Sequence, residues 1–215
     1  MSPDLSYAFT IFFLTLGPIK TIPGFAMISA DLDKSATRAL AFRGIFLGTL
    51  IVFATALIFS GAMTSWRVTQ PAMQIAGGLL LFIAASRNIT AGLGIGKTAA
   101  TNAPPVPKAL DAEVKSRALS PLAVPTIVTP VGIAAILLFT DIAKNDPTLR
   151  AGIYAMLAFI MVVNFGGMWF AKPIVRTVGI PAFGLLGWIF SVLQAGLAVQ
   201  AVIGALRTMK VILPV

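Results

Sequence analysis

Two short segments hold the residues of this chain best suited to chemistry: Gly17-Pro18-Ile19-Lys20-Thr21-Ile22-Pro23 and Thr129-Pro130-Val131-Gly132-Ile133. Each stands in the middle of an otherwise apolar stretch. A proline there removes a backbone N–H and clashes with the preceding turn, so a helix running through either segment must break. In hydrocarbon such a break is tolerated only where the freed backbone groups face protein or a cavity. Lys20 adds a charge beside the first break, and a charge at the centre of a spanning helix costs about 2.5–3.5 kcal/mol on insertion scales. Two readings of Lys20 compete. It lines a central cavity, or its stem snorkels to the far interface, which an unbroken helix from Leu5 would bring within reach after about 22 Å.

The other titratable residues mainly exclude functions. There is no Cys and no His, which rules out thiol catalysis, disulfides, histidine acid–base work and His/Cys metal sites. The acids are Asp4, Asp31, Asp33, Asp111, Glu113, Asp141 and Asp146, and all fall in predicted loops or at span ends. That distribution argues against a paired-carboxylate enzyme and against an Asp/Glu proton or sodium relay. The expectation is a protein that is not an enzyme, with no cofactor and no metal site.

The elements that must position these residues are membrane helices. Hydrophobic residues make up 58% of the chain and charged residues 11%. About 20 apolar residues span a bilayer core as a helix, and six stretches qualify, near 5–29, 41–65, 68–86, 119–143, 150–171 and 179–206. The first has no basic residue before it and follows Asp4, so it reads as a span rather than a cleaved signal. The net charge of +9 suggests nucleic acid until the basic residues are sorted by loop. Lys34, Arg38, Arg43, Arg87, Lys97, Lys108, Lys115, Arg117, Lys172 and Arg176 fall on one side, against Arg67, Lys144, Arg150, Arg207 and Lys210 on the other. The positive-inside rule then places both termini outside, or periplasmic, and the third loop in the cytoplasm of a cell (inner) membrane protein. The partner is the lipid bilayer, not nucleic acid.

The third loop, 87–118, contains Ala103-Pro104-Pro105-Val106-Pro107 and reads as a flexible linker. It separates a first three-helix unit, 1–86, from a second, 119–215. Gly92, Gly94, Gly96 and Lys97 look superficially like a phosphate loop, but no buried strand precedes them and the spacing is wrong. The two units overlay without gaps inside the spans: Pro18 meets Pro130, Arg38 meets Arg150, Phe42 meets Tyr154 and Phe53 meets Phe165, and after a change of register in one short loop Val68, Pro71, Ala72 and Gly77 meet Val178, Pro181, Ala182 and Gly187. Three is odd, so the second copy enters from the opposite face. The predicted fold is therefore an all-α membrane protein of two inverted three-helix repeats, with helices 1 and 4 broken near the bilayer midplane. Gly44 with Gly48, Gly77-Gly78 and Gly166-Gly167 are small residues for close helix packing. Pro71 and Pro181 suit helix starts.

The breaks define a candidate site. Half-helix N-termini expose unpaired N–H groups with partial positive charge, so two of them plus an ammonium would hold an anion. Pro23 is expected to open the second half-helix of span 1, and Val131 or Gly132 its symmetry mate. Predicted substrate-binding residues are Gly17, Pro18, Lys20, Thr21, Pro23, Thr129, Pro130, Gly132, Asn164 and Gln200. Thr15, Thr126, Gln74 and Gln194 are further intramembrane polar residues, each read first as a helix–helix hydrogen bond.

The run Met73-Gln74-Ile75-Ala76-Gly77-Gly78-Leu79-Leu80-Leu81-Phe82-Ile83, the two breaks, Pro121 and Pro125, and Ala198-Val199-Gln200 resemble the MarC family of six-span membrane proteins over essentially the whole chain. The resemblance implies a carrier fold of inverted repeats and a grouping with neutral amino acid transporters. The family's first break usually reads Asp-Pro-x-Gly-Asn-x-Pro, where this chain has Gly17, Lys20 and Thr21 in place of the Asp, Gly and Asn. Its second usually reads Gly-Pro-Gly-Ala-Ile, where this chain has Thr129, Val131 and Gly132. An acid is absent and a base present at the site, so substrate and cation coupling do not carry over. The expected function is secondary transport of a small amphipathic or anionic, amino-acid-like solute by alternating access. The alternatives are a flippase for a phosphate-bearing lipid and a non-transporting scaffold, and a homo-oligomer fits all three.

Overall fold

Apolar composition and scattered helix breakers give a chain of helices, and a computed structural model describes residues 5–59, 61–92 and 110–211 of it. No strand occurs among the described residues. Helices α1 (Leu5–Leu16) and α2 (Pro18–Ile28) follow one another with only Gly17 between them. Next come α3 (Lys34–Ile58), the single turn α4 (Ala62–Ser65) and α5 (Gln70–Gly92). After the third loop are α6 (Leu110–Arg117), a wide-turned irregular segment Ala118–Ile127 and α7 (Pro130–Ile142). Helices α8 (Pro147–Trp169), α9 (Ala171–Val178) and α10 (Ile180–Thr208) complete the chain. Both termini, Ser60 and residues 93–109 lie outside the described set, so most of the predicted 87–118 linker does too; its two ends belong to α5 and α6.

Five helices are long and apolar enough to cross a bilayer, Leu5–Ile28 counting as one, and six if the bent pair Val114–Ile127 with Pro130–Ile142 is a single span. That pair turns by 61°. The predicted span 119–143 is therefore not one straight helix: Ser120 and Val124 are extended ahead of Pro121 and Pro125, as a residue before proline prefers. Caps set the other boundaries. The Asp33 carboxylate accepts from the Ala36 N–H, starting α3 at Lys34 rather than 41, and Asp146 accepts from Thr148 and Leu149, starting α8 at Pro147 rather than 150.

Helices α1, α2, α3, α7 and α8 and the irregular segment enclose the core, with Phe12, Leu16, Phe25, Leu40, Leu122, Ile136 and Leu157 fully buried. Small residues permit the close approaches. Gly44 faces Leu122, and a Cβ on Gly48 would stand 3.0 Å from Ile127. Helices α5 and α10 pack mainly on each other at the side of this group; a Cβ on Gly78 would stand 2.9 Å from the Ala198 carbonyl. Their outer faces expose Leu79, Phe82, Ile83, Leu185, Ile189 and Val192, apolar surface that suits lipid rather than water.

Polar links tie the connections together at each end of the bundle. At one end Arg117 forms a two-pronged pair with Asp31 at 2.7 and 2.8 Å and donates to the Ile28 carbonyl at 2.8 Å, while Lys172 donates to Leu32 and Thr37. The Arg117 guanidinium holds the Asp31 carboxyl below its ordinary pKa. At the other end Asp141 accepts from Gln70 at 3.0 Å and from Lys144 at 3.1 Å. Asp141 stands at the end of its span, as expected, yet it is only 4% exposed.

Candidate functional site

Gly17 is extended (φ −81°, ψ 178°), and Pro18 opens α2 as its first residue. No larger side chain fits, because a Cβ on Gly17 would strike the Phe13 carbonyl. This corrects the expectation for Pro23, which lies inside α2, not at its opening. Likewise α7 opens at Pro130, with Thr129 as N-cap, rather than at Val131 or Gly132. Proline at the first helical position loses only an N–H that would be unpaired anyway.

Ending α1 at Leu16 leaves its last carbonyls without helical donors, and in an apolar interior each must find another. Three side chains from three other elements supply them. Gln194 of α10 donates to the Leu14 carbonyl at 2.9 Å, Thr129 donates to Thr15 at 3.1 Å, and Asn164 of α8 donates to Leu16 at 2.6 Å. Lys20 reaches back from the first turn of α2 and donates to the Thr15 carbonyl as well. Its ammonium thus turns back along its own break.

The two proline segments meet here. Thr129 also accepts from the Gly132 N–H at 3.1 Å, and Gly132 lies against Leu16 so closely that a Cβ would overlap it. Thr21 is buried and donates to the Gly17 carbonyl at 3.1 Å. Pro18 and Ile22 pack on Gly167 of α8. Asn164 is fully buried, and its Oδ1 has no hydrogen-bond partner.

The structure gathers Gly17, Pro18, Lys20, Thr21, Thr129, Gly132 and Asn164, with Pro130 leading α7. It leaves Gln200 out: that side chain is exposed on α10, and the α10 residue that reaches the cluster is Gln194. Thr126 bonds locally to the Pro121 carbonyl. The main-chain acceptors of Leu14, Thr15 and Leu16 carry no signature in a residue string beyond the Gly-Pro that frees them. Beside the cluster, an apolar groove of about 310 Å³ runs between α1 and α10, lined by Phe9, Phe13, Leu14, Phe190, Leu193 and Leu197. No cluster of His, Cys, Asp or Glu able to hold a metal occurs among the described residues. The arrangement offers non-covalent recognition: uncapped N–H groups at the start of α2, carbonyl dipoles at the end of α1, one ammonium and one unpaired amide oxygen.

A family model described as MarC family integral membrane protein matches residues 3–210. A UPF0056 membrane protein of Archaeoglobus fulgidus is 26% identical over 200 residues, covering 93% of this chain and 90% of that one. No solved structure matches.

Proposed function

The chain belongs to the MarC family of integral membrane proteins, and on that premise we propose that it is a secondary transporter of a small amphipathic or anionic, amino-acid-like solute. The reading rests on one observation above the rest: a polar cluster drawn from α1, α2, α7, α8 and α10 closes around a helix break in a chain otherwise packed with apolar side chains. Polar groups held in the membrane interior are costly and mark solute pathways. In this reading the break lies near the bilayer midplane, and two inverted repeats, 1–86 and 119–215, rock around it. The orientation follows the basic loops, with both termini outside and the third loop cytoplasmic in the cell membrane. The α2 opening, which no side chain caps, suits a carboxylate.

The experiment is uptake by proteoliposomes of purified protein, with labelled amino acids and simple carboxylates as probes. Uptake is expected with the native chain and lost with Thr129→Val and Asn164→Leu. Uptake at the native rate in both variants overturns the site. A second reading is favoured by the lateral groove between α1 and α10, which would admit an acyl chain: transfer of a phosphate-bearing lipid between leaflets. Movement of labelled phospholipid, but of no amino acid, in the same vesicles would select it.

A further inference from the structure

We propose that α9 is a membrane-surface helix that binds an anionic phospholipid, an acyl chain lying along its apolar groove and the headgroup meeting Arg176. Helix α9 joins two helices long and apolar enough to cross the bilayer, Pro147–Trp169 and Pro181–Thr208. An eight-residue helix rises only about 12 Å, against a hydrocarbon core of about 30 Å. Such a connector begins and ends at one membrane face.

Its residues sort by face. Ala171 belongs to the buried core. Lys172 fastens the helix to the α2–α3 connection, donating to the Leu32 carbonyl at 3.0 Å and to the Thr37 hydroxyl at 3.2 Å. On another face Phe170, Pro173, Ile174, Thr177 and Val178 line an open apolar groove. Thr177 turns its hydroxyl onto the Pro173 carbonyl at 3.0 Å, while Phe170 is 58% and Val178 43% exposed. Helical spacing sets Arg176 one turn beyond Lys172 and Pro173, on the rim of the groove. An apolar face bordered by basic residues is how a helix seats itself among lipid headgroups.

Charge selects the lipid. Arg176 is exposed, and the exposed Arg38 holds its guanidinium 5.0 Å over the ring of Trp169, the residue before Phe170. Asp31 is paired with Arg117 and Asp33 caps α3. No described carboxylate pairs with Arg38 or Arg176. A choline or ethanolamine headgroup would bring its own cation against these arginines, whereas a headgroup of net negative charge would not. The groove lies apart from the helix break, so the inference holds whether or not the chain moves a solute.

The test uses the full-length protein in vesicles, with Trp66→Phe and Trp188→Phe leaving Trp169 as the reporter; both replaced residues are exposed. Brominated phosphatidylglycerol or brominated phosphatidylcholine is supplied at equal mole fractions, and quenching of Trp169 reads the local lipid. Enrichment of phosphatidylglycerol by about fivefold is expected. It should be largely lost in Arg176→Gln, kept in Arg176→Lys, and kept in Arg207→Gln at the far end of α10. Equal quenching by the two lipids overturns the proposal, as does enrichment that survives Arg176→Gln or falls as much in Arg207→Gln. Absence of quenching by either lipid overturns the surface placement. Displacement of the brominated lipid by inorganic phosphate at constant ionic strength also overturns it, because a free anion would then be the ligand. A second readout needs no tryptophan change: in neutral detergent, phosphatidylglycerol should raise the melting temperature of the native protein more than phosphatidylcholine does. Arg176→Gln should remove that difference, and a native protein that responds to both lipids alike overturns the site.

Discussion

The Thr129 hydroxyl donates to the Thr15 carbonyl across 3.1 Å while accepting from the Gly132 N–H at the same distance. One side chain thereby caps α7 and satisfies the broken end of α1. Losing an N-cap costs about 0.5–2 kcal/mol, and Thr129→Val, nearly isosteric, also leaves the Thr15 carbonyl with Lys20 alone. Thr129→Val should lower the melting temperature, whereas Thr129→Ser should retain most of it; thermal denaturation in detergent measures both.

Gly17→Ala forces a methyl into the Phe13 carbonyl. Overpacking of a tight site typically costs about 1–3 kcal/mol, and here the obstacle is backbone that cannot rotate away. Reduced yield of monodisperse protein and earlier thermal unfolding are the expected readings. An alanine variant as stable as the native chain would contradict the geometry of the break.

Asn164→Leu removes the donor to the Leu16 carbonyl. Measured hydrogen bonds between membrane helices average about 0.6 kcal/mol and reach about 1.7, so the loss should fall within that range. Gln194→Leu removes the donor to Leu14 and should cost a similar amount. Unfolding equilibria in mixed micelles, including the double variant, would report whether the two bonds act independently.

Gly78→Ile places a branched side chain where the Ala198 carbonyl and Val202 already stand, at 2.9 and 3.0 Å from a Cβ. Helices α5 and α10 should separate while the core persists. Proteolysis or cysteine cross-linking across the α5–α10 seam would register the change, and Gly77→Ala, with its nearest neighbour Ala134 at 3.8 Å, should be mild by comparison.

The Asp31 carboxyl is held below its ordinary pKa, first by its hydrogen bonds from Arg117. A depressed carboxylate contributes stability that is fully present above the unfolded value, about pH 4, and is lost as pH falls through the folded value. Melting temperature should therefore drop on acidification below about pH 4, and Asp31→Asn should flatten that limb. Because the Asp31 carboxyl is largely exposed, added salt should shrink the difference.

The residue string carried the class and most helix ends in physical form. Asp33 and Asp146-Pro147 are start signals that place α3 and α8 earlier than hydropathy alone did. The location of the first break was readable from Gly17-Pro18, but Pro23 misled, since a proline just past the first turn removes one hydrogen bond without ending α2. Gln200 is exposed on α10, and the glutamine of that helix that reaches the cluster is Gln194. At about 100° per residue, Gln194 and Gln200 leave the helix on different faces, and only the packing of α10 says which one meets α1. Which side chains would satisfy the freed carbonyls was not legible at all, because that depends on three segments brought together from distant parts of the chain.

Leu14, Thr15 and Leu16 are each tied to a different helix, so the end of α1 behaves as a knot rather than a hinge. Any displacement of α7, α8 or α10 must either carry α1 with it or release a carbonyl into hydrocarbon. Each release is costly in an apolar interior, so the three ties resist independent displacement of α7, α8 or α10.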